Sequence, residues 1–318
     1  MSHSAAQPGR PSHDDGDARP GTYAGRQHPV ATLVLIALGI GVFAGLVGLA
    51  PWVATGMVLP VQNLWAFQTM PEDMPVALLP LSQYMAIRIV GLMVTGGLVA
   101  ALGLRWWAPA RHWTAVGWAA AGLLLVQVAA AVQSFSVLGD GLLMGSLGDL
   151  YFYGLLAGVV AAIAAAVVVL LAVRSRSKAV AALGIGLAAV PAGEWLFAWG
   201  EVFWESFALP PVVSMLGHWF PAVLAGLALA WCPPDRMGRA AVWVVDLALL
   251  WTVPVLFDAV AGALGTRVFR GDLALMQEYA AGSFTAALDS PGAVGTVVLA
   301  AALGVAGVLV RMVTRRTA

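Results

Sequence analysis

The 318 residues are 61% hydrophobic and only 10% charged, with 16 basic side chains balanced by 16 acidic ones. A water-soluble domain carries about 25% charged residues, so this composition excludes a soluble globule, and zero net charge gives no case for nucleic-acid binding. A single cysteine, Cys232, excludes a disulfide framework and a CxxC metal clip.

Residues 1–29 hold Pro, Gly, Ser, His and a mixed charge run (Asp14, Asp15, Asp17, Arg19), with almost no apolar content. Such a segment buries too little surface to offset its ordering entropy and reads as a disordered tail. It is too acidic for the n-region of a signal peptide, so the first apolar stretch is expected to be an uncleaved span. A span takes about 20 apolar residues at 1.5 Å rise each. Stretches of that kind lie near 30–50, 82–104, 113–132, 150–173, 179–200, 212–232, 240–262 and 293–310. The expected fold is an all-α polytopic bundle of eight transmembrane helices over 30–312, closed by a basic tail at 313–318.

The basic residues sort these spans. Arg10, Arg19, Arg26, Arg105, Arg111, Arg174, Arg176, Lys178, Arg236, Arg239, Arg311, Arg315 and Arg316 fall on one side. Only Arg267 and Arg270 fall on the other, and Arg88 lies within a span. The positive-inside rule makes the rich side cytoplasmic, with both tails on it. The opposite, outer side carries most of the acids, among them Glu72, Asp73, Asp140, Asp149, Glu201, Glu205, Asp272, Glu278 and Asp289. With Ala, Gly and Val abundant and Lys178 the single lysine among the 16 basic residues, the expected location is a bacterial cytoplasmic membrane. Trp and Tyr cluster at both interfaces, as anchoring aromatics do. Examples are Trp106, Trp107 and Trp231 at inner ends and Trp52, Tyr151 and Trp204 at outer ends.

Gly41 and Gly45 form a GxxxG in the first span. Small residues at that spacing let helix backbones approach closely, which offers a face to another membrane subunit. Gly139-Asp140 with Met144 precedes the fourth span, and Gly271-Asp272 with Met276 precedes the eighth. This similarity suggests two parallel four-span halves, 30–173 and 179–312. Chance resemblance between apolar segments is the competing reading. Two outer segments, 51–80 and 265–292, are too long for turns and are expected to cap the outer face. In the second, Leu273, Met276 and Tyr279 are spaced to share one face of a short helix.

Ionisable residues inside spans are costly, about 2.5–3.5 kcal/mol each at mid-bilayer on insertion scales. Arg88, Glu194, His218 and Asp258 fall in the outer half of their spans, and Gln127 lies at a similar level. Asp246 is the exception, nearer the cytoplasmic end. If the fifth span continues past Gly200, Pro191, Glu194, Glu201 and Glu205 share one helix face. Two acids follow prolines, Pro191 before Glu194 and Pro254 before Asp258. A proline frees the carbonyl four residues earlier, here on Leu187 and Leu250, which is one way to build an ion or proton site.

These residues suggest an outward-opening polar cavity lined by Arg88, Gln127, Glu194, Glu201, His218 and Asp258. In it Arg88 is expected to neutralise Glu194 or Asp258, and His218 supplies an imidazole, which ordinarily titrates near neutral pH. The competing reading is a static Arg–carboxylate lock between helices. The i, i+3 or i, i+4 ligand pairing of a strong helical metal site is lacking, and no metal or cofactor is assigned. No HExxH, P-loop or nucleophile elbow occurs in the chain. Three function classes remain: a permease-like or transport-associated protein, an accessory or scaffold subunit, and a membrane enzyme acting on a lipid-linked substrate through Glu194, Glu201 or His218.

Overall fold

A computed structural model describes residues 30–107, 113–204, 209–269, 272–288 and 291–317. The expected disorder of 1–29, and the positions of Arg111, Glu205, Arg270, Gly271 and Asp289, lie outside the described residues. The described helices are α1 (Val30–Ala54), α2 (Ala86–Trp107), α3 (Trp113–Gly141), α4 (Ser146–Arg174), α5 (Lys178–Phe203), α6 (Pro211–Trp231), α7 (Met237–Gly265), α8 (Leu273–Leu288) and α9 (Pro291–Thr317). All but α8 are long and apolar enough to cross a membrane. Among the described residues no strand forms, only two isolated bridges. The chain is an all-α, multi-pass membrane bundle.

Each expected span lies within one of these helices, apart from a residue or a few at an end, but most helices are longer. The third, expected to stop at 132, runs to Gly141, and α7 runs from Met237 to Gly265. The apolar count marks only the hydrocarbon layer, about 30 Å thick; the backbone stays helical as it enters the interfaces. For the same cause α9 continues to Thr317, through most of the basic segment after 312. Local chemistry sets several ends. Ser177 caps α5, its hydroxyl accepting from the Val180 N–H. Pro211 and Pro291 open α6 and α9 at positions where a missing N–H is harmless.

The first four helices and the last four spans pack by the same scheme. In the first set α1 lies on α2 and α3, and α2 lies on α4. In the second α5 lies on α6 and α7, and α6 lies on α9. The two sets meet chiefly where α5 packs on α2 and α4. Close approach depends on glycine in α1. A Cβ at Gly41 would collide with the Ala119 carbonyl of α3, and one at Gly45 with the Val126 side chain. This corrects the expectation that Gly41 and Gly45 offer a face to another subunit: α3 of the same chain already occupies it.

The segment after α1 caps the first set on the acid-rich side. Val58 bridges to Val76 and Trp65 to Leu142. Its own Leu59, Met74, Ala77, Leu79 and Leu81 are buried in the core of the bundle. Side chains of α3 tie it down. The Gln133 amide accepts from the Leu78 N–H and donates to the Val76 carbonyl, each at 2.9 Å, and the Ser134 hydroxyl accepts from the Leu79 N–H at 2.8 Å. The second long segment contains α8, which packs on α7 with Tyr279 against Gly262. On the basic side Trp231 joins both sets. Arg105 of α2 and Lys178 of α5 lie over its ring, 4.8 and 5.8 Å from the centroid. Arg311 of α9 donates to its carbonyl at 3.1 Å.

Candidate functional site

Glu194, His218 and Asp258 converge on one cavity of about 270 Å³ between α5, α6, α7 and α9. Its walls are completed by Val190 and Gly193 of α5, Gly217 and Pro221 of α6, Leu250, Pro254 and Val255 of α7, and Thr296 of α9. The three ionisable residues stand seven to nine residues from the acid-side ends of their helices, about 10–14 Å at the helical rise. His218 and Asp258 are exposed and Glu194 is half-buried, so the cavity has an open side. Glycine and proline shape it together. A Cβ at Gly193 would run into the Pro221 ring, so the α5–α6 approach at this wall depends on glycine. Pro221 and Pro254 have no N–H to give the Gly217 and Leu250 carbonyls, and both of those residues line the cavity.

The six-residue cavity read from the sequence does not form as a unit. Arg88 is held by Glu201 of α5 through two hydrogen bonds, one of them 2.6 Å to Oε1, and not by Glu194 or Asp258. The difference follows from register. The α-helical part of α2 begins only at Ala86, so Arg88 lies in its first turn, level with the last turn of α5. Three residues further along, Gly91 packs directly on Glu194, which directs Arg88 past Glu194 toward the helix end. Gln127 is buried in the other set, where its amide donates to the Met93 carbonyl at 2.9 Å. It takes no part in the cavity.

Arg88, Glu201 and Asp258 remain within electrostatic reach of Glu194. Among the described residues, neither Glu194 nor Asp258 makes a direct ion pair or hydrogen bond; the ion pairs are Arg88–Glu201 and Arg239–Asp235. The cavity therefore presents two carboxylates with no cation fixed against them. Among the described residues no three His, Cys, Asp or Glu are grouped closely enough to hold a metal ion.

Pro221 and Thr296 were not singled out from the sequence. Pro221 carried a signal, since it follows His218 at the spacing by which Pro191 precedes Glu194. Thr296 carried none, because threonine is unremarkable in a span. A second space, about 910 Å³ and almost wholly apolar, opens between α2, α4, α7 and α8. Its wall on α4 is made of small residues such as Gly154, Gly158 and Ala162, and its few polar residues, Asn63, Gln83 and Tyr151 among them, lie at the acid-side end. It contains none of the ionisable residues of the spans.

Fold and site together define a multi-pass α-helical membrane protein with a small acidic cavity toward its acid-rich side. A scan of family models finds no match to the chain, and searches of curated proteins and of solved structures find no similar one.

Proposed function

We propose that this chain is a permease-like protein of a bacterial cytoplasmic membrane that admits a small cationic solute into the cavity lined by Glu194, His218 and Asp258. The basic loops and both tails face the cytoplasm on this reading, and the cavity faces outward. The observation that carries it is the pair of carboxylates on one cavity while the nearby guanidinium of Arg88 is held by Glu201. Two acids inside a bundle with no cation paired directly to either are costly unless they meet a cation or a proton. The volume suits a small ligand, since about 270 Å³ lies just below the usual range of 300–1,000 Å³ for drug-sized molecules. Carbonyls beside prolines and a threonine add neutral oxygen ligands, a donor set that transporters use for monovalent cations.

The shared packing scheme of the two helix sets supports the reading as two parallel halves. On that reading the first half buries the neutral Gln127, while the second has kept an ionisable interior. The scaffold alternative draws support from Arg88–Glu201, which is a lock between α2 and α5 of the kind a structural role requires. Melting of the purified full chain, with alkali cations, ammonium and small amines added in turn, separates the two. A permease of this kind is stabilised by at least one of these ions, by about 2.7 kcal/mol when the ion is present at a hundred times its Kd. Glu194→Gln and Asp258→Asn abolish that gain. Absence of any stabilising ion, or equal gains in both variants, favours the scaffold.

A further inference from the structure

Asp246 lies in the basic half of α7, nine residues past its start, about 13 Å along the axis. It is 1% exposed, and neither carboxylate oxygen has a hydrogen-bond partner. Gly186 of α5 faces it so closely that a Cβ there would strike the carboxylate. One turn earlier on α7, Val242 packs with Ala182, Ala228 and Cys232 in a dry apolar cluster.

Charged groups near this site are turned elsewhere. From α5, Lys178 lies over the Trp231 ring. From the end of α6, Cys232 contributes a buried thiol. Arg239, at the start of α7, pairs with Asp235. From α9, Arg311 donates to the Trp231 carbonyl. Glu278 of α8 and Tyr84 beside α2 belong to the acid-rich end of α7. An ionised carboxylate in a dry site without a partner is too costly to persist. Asp246 lines neither of the two cavities described above, and Gly186 closes directly on its carboxylate.

The residue nevertheless stands on the same α5–α7 seam as the acidic cavity. The inner end of that cavity is lined by Val190 and Leu250. Gly186 and Asp246 are each four residues further in, about 6 Å along the helices. Pro254 leaves the Leu250 carbonyl without its helical N–H donor at this floor, a point where α7 can bend.

We propose that Asp246 is a proton-binding site, the inner station of a path whose outer station is the pair Glu194 and Asp258. In the state described here Asp246 holds the proton as a neutral acid. When the Val190–Leu250 floor opens to water, the proton leaves the Asp246 carboxyl for that water, and the carboxylate takes one back from the opposite side. That Asp246 holds a proton stands on its own burial; that the proton comes and goes by way of the outer cavity rests on the permease reading.

Infrared spectra of the full chain in lipid nanodiscs at neutral pH test both parts. The wild-type spectrum minus that of Asp246→Asn should show the carbonyl band of a protonated carboxylic acid, and Asp246→Glu should restore a band at shifted frequency. Absence of a lost acid band, or a sodium-dependent gain in melting temperature that Asp246→Asn alone removes, overturns the proton assignment. If Asp246→Asn does not fold, aspartate labelled with carbon-13 in the wild-type chain shows or excludes the same acid band. Transfer to heavy water then tests the path. The shift of the Asp246 band should be at least tenfold slower in Glu194→Gln. An unchanged exchange rate with the band present refutes the path through the outer cavity and leaves the Asp246 site standing.

Discussion

Breaking the Arg88–Glu201 pair should cost more than a surface ion pair and less than a fully buried one. Exposed pairs contribute about 0.2–1 kcal/mol, whereas removing one partner of a buried pair costs about 3–5 kcal/mol because a charge is left stranded. The side chains of Arg88 and Glu201 are 19% and 20% exposed, and the guanidinium meets both carboxylate oxygens. Both also sit in the terminal turn of their helices, where a stranded charge can reach the interface. The expected cost of Arg88→Met is therefore about 2 kcal/mol. A double-mutant cycle with Glu201→Gln, read by reversible unfolding in mixed micelles, should return a coupling of at least about 1 kcal/mol. Independent sites add to within about 0.3–0.5 kcal/mol. A coupling inside that margin would mean that Arg88 is not committed to Glu201. It would then be available to neutralise Glu194, and the argument for an uncompensated acidic cavity would fail.

Three further outcomes are expected. Gly41→Leu should destabilise the chain by about 1–3 kcal/mol through overpacking against α3, with no change in oligomeric state on size exclusion; an unchanged melt with a shifted oligomer would return this face to a partner. Gly193→Ala pushes α5 from α6 at the Pro221 ring, so it should weaken cation-dependent stabilisation in the melting assay, and a wild-type response would show that this wall does not shape the site. Cys232 is fully buried, so a reagent in solution has no access to its thiol in the folded chain. It should resist maleimide in the folded protein at pH 7 and react only after unfolding, while rapid labelling of the native chain would place it at an accessible surface.

The spans were legible because one physical requirement, about 20 apolar residues, governs each of them. The placement of Glu194, His218 and Asp258 in the acid-side half of their helices was legible for the same reason, since depth follows from the helical rise alone. Which of the polar residues share a space was not. That depends on helix neighbours, and the scheme in which α5 touches α2, α4, α6 and α7 is set by contacts such as Gly91 on Glu194 and Gly193 on Pro221. No periodicity within one helix reports such contacts. Arg88 shows the consequence: its level in the membrane pointed to Glu194 or Asp258 as its partner, and the start of α2 at Ala86 brought it to Glu201 instead. Asp246 was visible as an intramembrane acid, but its isolation shows only when the surrounding helices are in place.

On the permease reading the acidic cavity opens to the side away from the basic loops. A cysteine placed at the cavity tests it directly. In full-length protein carrying Cys232→Ala and Asp258→Cys, a membrane-impermeant thiol reagent should label position 258 in right-side-out vesicles and leave it unlabelled in sealed inside-out vesicles. The same labelling should slow when a cation that stabilises the wild-type chain is bound in a His218→Cys variant, which keeps both carboxylates. Labelling of position 258 only from the cytoplasmic side, or from neither side, would contradict the account.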